Sequence, residues 1–256
     1  MIHINGFTLN VTRFPDKTSP VWKQPEGLLN AFKEDVLRIH WEFEDEYELL
    51  HIFQLLYFVE KMKIKEPANQ LVIWNVPYLP YARQDKGIVD TSCWALHFFA
   101  EMMGKCELHT FDVHNPAFFD QYPNIKLVNT LPQQNIADIV EREGIDLLLL
   151  PDKGAAARYS QLSAKEFIVA EKIRDEATGR ILETIVPNIP IGKNILVCDD
   201  LCDGGRTFIE VAKAIGHCKP KKMILYVSHG IFSQGLEALG SYYSQIYTRK
   251  GPVWQY

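Results

Sequence analysis

The run Ile195-Leu-Val-Cys-Asp-Asp-Leu-Cys-Asp-Gly-Gly-Arg-Thr207 constrains this 256-residue chain more than any other stretch. Its first four residues, Ile195 to Cys198, are apolar and read as a short strand buried on both faces, the mark of an interior parallel strand. Three carboxylates follow closely, Asp199, Asp200 and Asp203, and Gly204-Gly205-Arg206-Thr207 then opens an amphipathic helix, Phe208–Ile215. A buried strand that feeds a glycine-rich turn and a helix N-terminus presents backbone N–H groups to an anion. The carboxylates beside it add acceptors for sugar hydroxyls, or ligands for magnesium. The expected ligand is a phosphorylated sugar, held at its phosphate by Gly204–Thr207 and at its ring hydroxyls by Asp199 and Asp200.

Strands and helices alternate along the rest of the chain. Strands are expected at Ile4–Phe14, Val36–Phe43, Leu71–Val76 and Glu107–Asp112, with helices at Asp45–Lys61 and Thr91–Met103. The second half repeats the logic. It has a helix at Gln133–Glu143, strands at Ile145–Leu150 and Glu166–Glu171, and a hairpin-like arm reaching out to Val186. Strand Ile195–Cys198, a helix over Thr207–Ile215, strand Lys222–Ser228, a short helix near Gln234 and strand Gln245–Thr248 complete it. This spacing predicts an α/β fold of two similar domains with mostly parallel sheets, residues 1–130 and 131–256, joined near Asn129–Pro132. In such folds ligands bind at the carboxyl ends of strands, and each polar cluster below follows a buried strand.

The net charge of -5 argues against a nucleic acid as the main partner. It leaves room for a small phosphate ligand, which needs only local positive charge. Five cysteines are odd in number and lack metal-ligand spacing. Cys93, Cys106, Cys198 and Cys218 sit in apolar surroundings and are expected to be buried free thiols of a reducing compartment. No apolar run of about 18 residues occurs, and Met1-Ile-His-Ile-Asn-Gly lacks a charged-then-apolar leader, so no membrane span is expected and the protein is placed in the cytoplasm.

Four further clusters could carry chemistry. Pro77-Tyr-Leu-Pro-Tyr-Ala-Arg-Gln-Asp-Lys86 sets Tyr78 and Tyr81 beside Arg83, Gln84 and Asp85, a combination able to stack on and pair with a nucleotide. Asp112-Val-His114 can offer an imidazole to a metal or a phosphate. Pro151-Asp152-Lys-Gly-Ala-Ala-Ala-Arg158 combines small residues, which let backbone approach a ligand, with Asp152, available to magnesium. Lys172-Ile-Arg174 stands at the base of a turn-rich arm through Asp175–Gly179, and would act as a lid delivering two cations to a transferring phosphate. Read singly, each is equally a solvated loop or a salt-bridged hairpin.

Their order is more informative. Pro80-Tyr-Ala-Arg-Gln-Asp85, Asp112-Val-His114, Pro151-Asp152 with Gly154 and Arg158, Lys172-Ile-Arg174, Asp199-Asp200 with Asp203 and Thr207, and Ser228-His-Gly230 together resemble the ribose-phosphate pyrophosphokinases. The length is that of the compact phage-type relatives, whose setting would be a host cytoplasm. The Asp-Asp block is shared with type I phosphoribosyltransferases, whose fold the resemblance implies. It implies that Arg83, Gln84 and Asp85 bind ATP, and that His114 and Asp152 bracket a magnesium-triphosphate, with His114 also catalytic. It implies that Lys172 and Arg174 stabilise the transition state. Asp199 and Asp200 would hold the ribose hydroxyls, with Asp203, Gly204, Gly205, Arg206 and Thr207 around the 5-phosphate. Phe14 and Asp16 match a loop that reaches a neighbouring subunit's ATP site, which implies a homo-oligomer. The implied reaction moves a diphosphoryl group from ATP to the anomeric hydroxyl of ribose 5-phosphate and releases AMP, with Mg2+ as cofactor.

Departures from that family's pattern gather at substrate positions. Its phosphate loop runs Asp-Thr-x-Gly-Thr, against Asp203-Gly-Gly-Arg-Thr207 here. Its nucleotide loop reads Phe-x-Asp-Gly-Glu, against Phe14-Pro-Asp-Lys-Thr18, and the segment after His114 is shortened to Pro116-Ala-Phe-Phe119. A glycine-opened loop with an arginine would also suit an acceptor with a larger 5-substituent, such as ADP-ribose. A type I phosphoribosyltransferase would have no use for Arg83-Gln84. A catalytically inactive regulatory subunit would have lost His114, Asp152, Lys172 or Arg174, and all four are present.

Overall fold

The computed structural model describes residues 1–62, 64, 67, 69–85, 94–162, 165–174, 181–187, 189 and 191–255, the side chains of 172–174 and 181–183 excepted. The backbone divides into two compact units, Met1–Thr130 and Leu131–Tyr256. Both are α/β, each built on a six-stranded, mostly parallel sheet.

The first unit contains β1 (Ile2–Ile4), β2 (Phe7–Thr8), α1 (Glu26–Ala31), β3 (Val36–Trp41), α2 (Tyr47–Lys61), β4 (Leu71–Asn75), α3 (Ala95–Met103), β5 (Cys106–Phe111) and β6 (Ile125–Thr130). The strands lie in the order β2-β1-β3-β4-β5-β6. Those from β3 to β6 are parallel, and β1 runs antiparallel to both β2 and β3. Alternation on β3 sends Leu37, Ile39 and Trp41 into the core. Trp41 fastens two of the helices: its ring lies 5.9 Å from Phe99 of α3, and its indole N–H donates to Glu48 Oε2 of α2 at 2.8 Å.

The second unit contains α4 (Gln133–Glu143), β7 (Leu147–Leu150), α5 (Lys153–Tyr159), β8 (Phe167–Val169), β9 (Glu171–Arg174), β10 (Ile181–Ile185), β11 (Asn194–Cys202), α6 (Arg206–Ile215), β12 (Lys222–Gly230), α7 (Glu237–Gly240), β13 (Gln245–Thr248) and β14 (Gly251–Gln255). Its sheet runs β14-β13-β12-β11-β7-β8, parallel except for the β13–β14 hairpin, and β9 and β10 form a separate antiparallel ribbon. The two-residue period of the strands divides the core between the faces. Leu147, Leu149, Ile195, Val197, Leu225 and Val227 meet α6 and α7 on one side. Leu148, Leu150, Leu196, Cys198, Ile224 and Tyr226 meet α4 and α5 on the other. Helix α6 buries Phe208, Val211, Ala212 and Ile215, the i, i+3, i+4, i+7 set of an amphipathic helix. Among the described residues, no helix is long and apolar enough to cross a membrane.

Several expected elements come out differently. The single strand over Ile4–Phe14 is a hairpin, because Asn5 and Gly6 take positive φ (43° and 86°) and pair Ile4 with Phe7 across a two-residue turn. The strand expected to end at Cys198 runs on to Cys202, so Asp199 and Asp200 stand on it rather than in the loop beyond. The short helix near Gln234 is α7, and α1, β6 and β14 have no counterpart in the pattern reading. Cys106, Cys198, Cys202 and Cys218 are buried free thiols, while Cys93 and the arm turn Asp175–Gly179 lie outside the described residues.

A Cβ added at Gly6 would meet nothing within 4 Å, so Gly6→Ala isolates the penalty of the left-handed conformation. We expect it to lower stability by about 1 kcal/mol, read as a shifted urea midpoint at unchanged slope. An unchanged midpoint would mean that the turn does not hold this geometry in solution.

Candidate functional site

In the second unit the polar groups gather at the carboxyl end of the parallel sheet. Asp199 and Asp200 lie on β11, 9 % and 6 % exposed. Arg158, in the last turn of α5, reaches both: its Nη2 lies 3.0 Å from Asp199 Oδ1 and 3.0 Å from Asp200 Oδ1. The Asp200 backbone N–H also donates to Asp199 Oδ1 at 3.0 Å, curling that carboxylate over its own neighbour. Burial, and next the charge of Asp200, push the Asp199 carboxyl well above its ordinary proton affinity, with Arg158 opposing.

The chain then leaves β11 through Asp203-Gly204-Gly205 into α6. Gly205 is left-handed (φ 75°) and serves as the N-cap without any side-chain cap, so the first N–H groups of α6 keep their capacity for an anion. Glycine is favoured there on a second count, since a Cβ would also sit 3.1 Å from the Leu239 side chain, a tight contact. At Gly204 a Cβ would come no nearer than 3.5 Å to Gln234, an ordinary contact. Arg206 and Asp203 are exposed and Thr207 is partly buried. Cys202, just before the loop, is a buried thiol whose pKa burial pushes up to about 12, which removes it from nucleophilic chemistry.

Asp152 is the N-cap of α5, its Oδ1 accepting from Ala155 N at 3.0 Å. A Cβ at Gly154 would come 3.2 Å from that same oxygen, so the small residue there makes room for the cap. Lys172 and Arg174 stand on β9 opposite Thr184 and Ile181. Ser228 is buried near the end of β12, where its Oγ lies 3.3 Å from the Tyr226 hydroxyl.

In the first unit a second polar group forms where β4 and β5 end. The loop Pro77–Asp85 carries Arg83 and Gln84, both exposed, and Asp85 Oδ2 accepts from Asn115 Nδ2 at 2.5 Å. That bond ties the loop to the segment after β5, where Asn115 follows the exposed His114. Two non-glycine residues hold left-handed backbone at these ends, Tyr81 (φ 63°) and Asp112 (φ 51°). The first is over-determined: the Tyr81 hydroxyl donates to Glu46 Oε1 at 2.9 Å and its ring packs 6.1 Å from Phe99. Burial, aided by Glu46, raises the Tyr81 phenol to about 12. Phe14 and Asp16 lie in a separate loop closed by the Val11–Val21 bridge. The Thr18 hydroxyl and N–H both donate to Asp16 Oδ1, which holds that exposed carboxyl below its usual range.

The structure therefore ties the loop of Arg83, Gln84 and Asp85 to the segment His114-Asn115 through Asp85 in one unit, and sets Asp199 and Asp200 on the strand that leads into the Asp203–Thr207 loop in the other. Pattern reading misses Asn115, Glu46 and the partners of Arg158. Nothing local could reveal the last: Arg158 and Asp199 are 41 residues apart, and they meet only because β7 pairs with β11. Among the described residues, no three His, Cys, Asp or Glu side chains are grouped so as to hold a metal ion.

A buried acid of raised pKa stabilises the fold when protonated, and that contribution falls away as pH rises through the folded-state value. Asp199→Asn, which leaves Arg158 paired to Asp200, should thus gain thermal stability over wild type by about a few degrees at pH 8 and by less at pH 5. A difference independent of pH would show that Asp199 ionises normally.

The phosphoribosyl transferase domain model matches residues 121–245. The ribose-phosphate pyrophosphokinase of Pyrococcus abyssi is 31% identical over 166 residues, covering 62% of this chain and 58% of that protein. That of Sulfolobus acidocaldarius is 25% identical over 228 residues, 86% of this chain and 75% of that protein. The chain spans about three fifths of the length of the first curated relatives it matches (58%, 59% and 63%). The solved phosphoribosylpyrophosphate synthetase of Mycobacterium smegmatis has the same fold, with a TM-score of 0.66 at 15% identity over 93% of this chain and 78% of that one. With its paired aspartates, glycine loop and Tyr-Ala-Arg-Gln-Asp block in the order described, the chain is similar in sequence and in fold to the ribose-phosphate pyrophosphokinases, and residues 121–245 match the phosphoribosyl transferase domain.

Proposed function

We propose that this protein transfers the β,γ-diphosphoryl group of ATP to the anomeric hydroxyl of ribose 5-phosphate, giving phosphoribosyl pyrophosphate and AMP. The observation that carries the reading is the second unit's polar edge. Two buried carboxylates suited to vicinal hydroxyls are followed directly by a glycine-opened helix N-terminus suited to a phosphate. The sugar O1 attacks the β-phosphorus, the bond between the α- and β-phosphates breaks, and AMP leaves while the hydroxyl proton passes to water. No covalent nucleophile on the protein is needed, so catalysis consists of alignment and charge stabilisation.

The residues divide that work. Arg83, Gln84 and Asp85 bind the nucleotide, with His114 toward its phosphates. Asp199 and Asp200 accept from the ribose hydroxyls, and Asp203 to Thr207 surround the 5-phosphate. Lys172 and Arg174, on the β9–β10 ribbon, supply positive charge to the transferring group. With Asp152 already capping a helix, the donor set suits a Mg2+ ion that arrives with the triphosphate and keeps water and phosphate ligands, not one held in an all-protein cage. Asp152 would be the carboxylate facing that ion, which neutralises phosphate charge. The loop of Phe14 and Asp16 would serve the ATP site of a neighbouring copy, in a cytoplasmic homo-oligomer.

One observation favours a larger acceptor as a second reading. The exposed Arg206 follows the glycine pair, where the loop is itself exposed at Gly204, and so offers a forked cation to a diphosphate at the 5-position, as in ADP-ribose.

Purified full-length protein with Mg2+ and ATP, offered ribose 5-phosphate or ADP-ribose, should release AMP and a sugar product heavier by one diphosphate, followed by mass spectrometry. Turnover with ribose 5-phosphate supports the first reading and turnover with ADP-ribose alone the second. AMP release with neither acceptor would refute both. Lys172→Ala or Arg174→Ala should lower kcat by on the order of 100-fold or more with smaller effects on KM, and unchanged turnover would remove the ribbon from the mechanism.

A further inference from the structure

Neighbouring residues of a strand leave it on opposite faces, so Asp199 and Asp200 have no reason of their own to act together. Yet their Oδ1 atoms share one nitrogen, Arg158 Nη2, at 3.0 Å each, and Arg158 and both carboxylates are largely withdrawn from solvent. Two features bring this about. The Asp200 N–H turns the Asp199 carboxylate back along the strand, and the packing of α5 behind β7 carries the guanidinium to the end of β11, the neighbouring strand. The Arg158 guanidinium also lies 5.5 Å above the ring of Tyr159, which is fully buried, so its direction is fixed by packing as well as by charge.

We propose that Arg158 is the positioning residue of the sugar half-site: it gathers Asp199 and Asp200 into one acceptor pair for two adjacent ring hydroxyls. The inference rests on the sugar-binding role proposed for those aspartates. It goes beyond that role by making the pair's geometry depend on a side chain that need not touch the sugar. A planar guanidinium can address two carboxylates at once, whereas the ammonium of a lysine is a single charged centre on a flexible stem. Without the cation, two buried like charges separate or take up a proton, and either change leaves fewer acceptors for the hydroxyls.

The test measures binding of ribose 5-phosphate to the full chain by calorimetry, together with steady-state kinetics for both substrates. Arg158→Ala is expected to weaken sugar affinity by on the order of 10- to 100-fold and raise the sugar KM in parallel, with the KM for ATP and kcat each within about threefold of wild type. Arg158→Lys should recover part of the loss, to within about tenfold of wild type. If the alanine variant does not fold, the lysine variant decides alone, with sugar affinity weakened about 3- to 10-fold at unchanged ATP KM as the supporting result. Unchanged sugar affinity in the folded variants, or equal losses for sugar and ATP, would overturn the positioning role. Failure of wild type itself to bind ribose 5-phosphate would instead refute the sugar site on which the proposal rests, so the two failures are distinguishable.

Discussion

Two carboxylates buried side by side at the end of an interior strand are tolerable only with a counter-charge and hydrogen bonds to match. In this protein Arg158 supplies the charge and the Asp200 N–H one of the bonds. Much of the second unit serves that arrangement. The strands β7 and β11 must be parallel neighbours for α5 to deliver the arginine, and β11 must run four residues past its apolar segment to carry both aspartates. The left-handed Gly205, closed in by Leu239, then fixes where α6 begins. Such a polar group is costly to bury for stability alone, which is why it reads as a site.

The first unit is built on a different economy. Its core gathers around Trp41, which joins α2 and α3 on one face of the sheet. Its polar loops are held by few but specific contacts, Asp85 to Asn115 and Tyr81 to Glu46. Two left-handed non-glycine residues, Tyr81 and Asp112, mark the strand ends where those loops start. Strain of this kind persists only where surrounding contacts hold it, and the Tyr81 hydroxyl bond and ring packing show how that is done for the Tyr-Ala-Arg-Gln-Asp block.

The fold class and the residues of the polar edge were legible from local pattern because period and punctuation report local structure. The helix Gln133–Glu143 and the strand Gln245–Thr248 fall where their spacing puts them. The hairpin at Asn5-Gly6 was legible and was missed: an Asn-Gly pair that interrupts the polar–apolar alternation between Ile4 and Phe7 is the signature of a two-residue turn. The strand status of Asp199 and Asp200 was hidden for a chemical reason: aspartate is depleted in strands, and this one continues because β12 pairs with it as far as Cys202 while Arg158 supplies a counter-charge. Non-local partners were out of reach altogether. Arg158 stands in a recognisable motif, but its contact with the aspartates is created by sheet pairing, and Asn115 meets Asp85 only through the packing of neighbouring strand ends.

The central claim is that a sugar held by Asp199, Asp200 and the Gly205 loop uses its anomeric oxygen to take a diphosphoryl group from ATP. Ribose 5-phosphate labelled with oxygen-18 at the anomeric hydroxyl tests it directly, with products read by mass spectrometry and phosphorus NMR. The account predicts that the label remains in the diphosphorylated sugar, bridging carbon and phosphorus, and that the AMP is unlabelled. Label in AMP, or a diphosphorylated sugar that has lost it, would contradict attack by the sugar oxygen on the β-phosphorus.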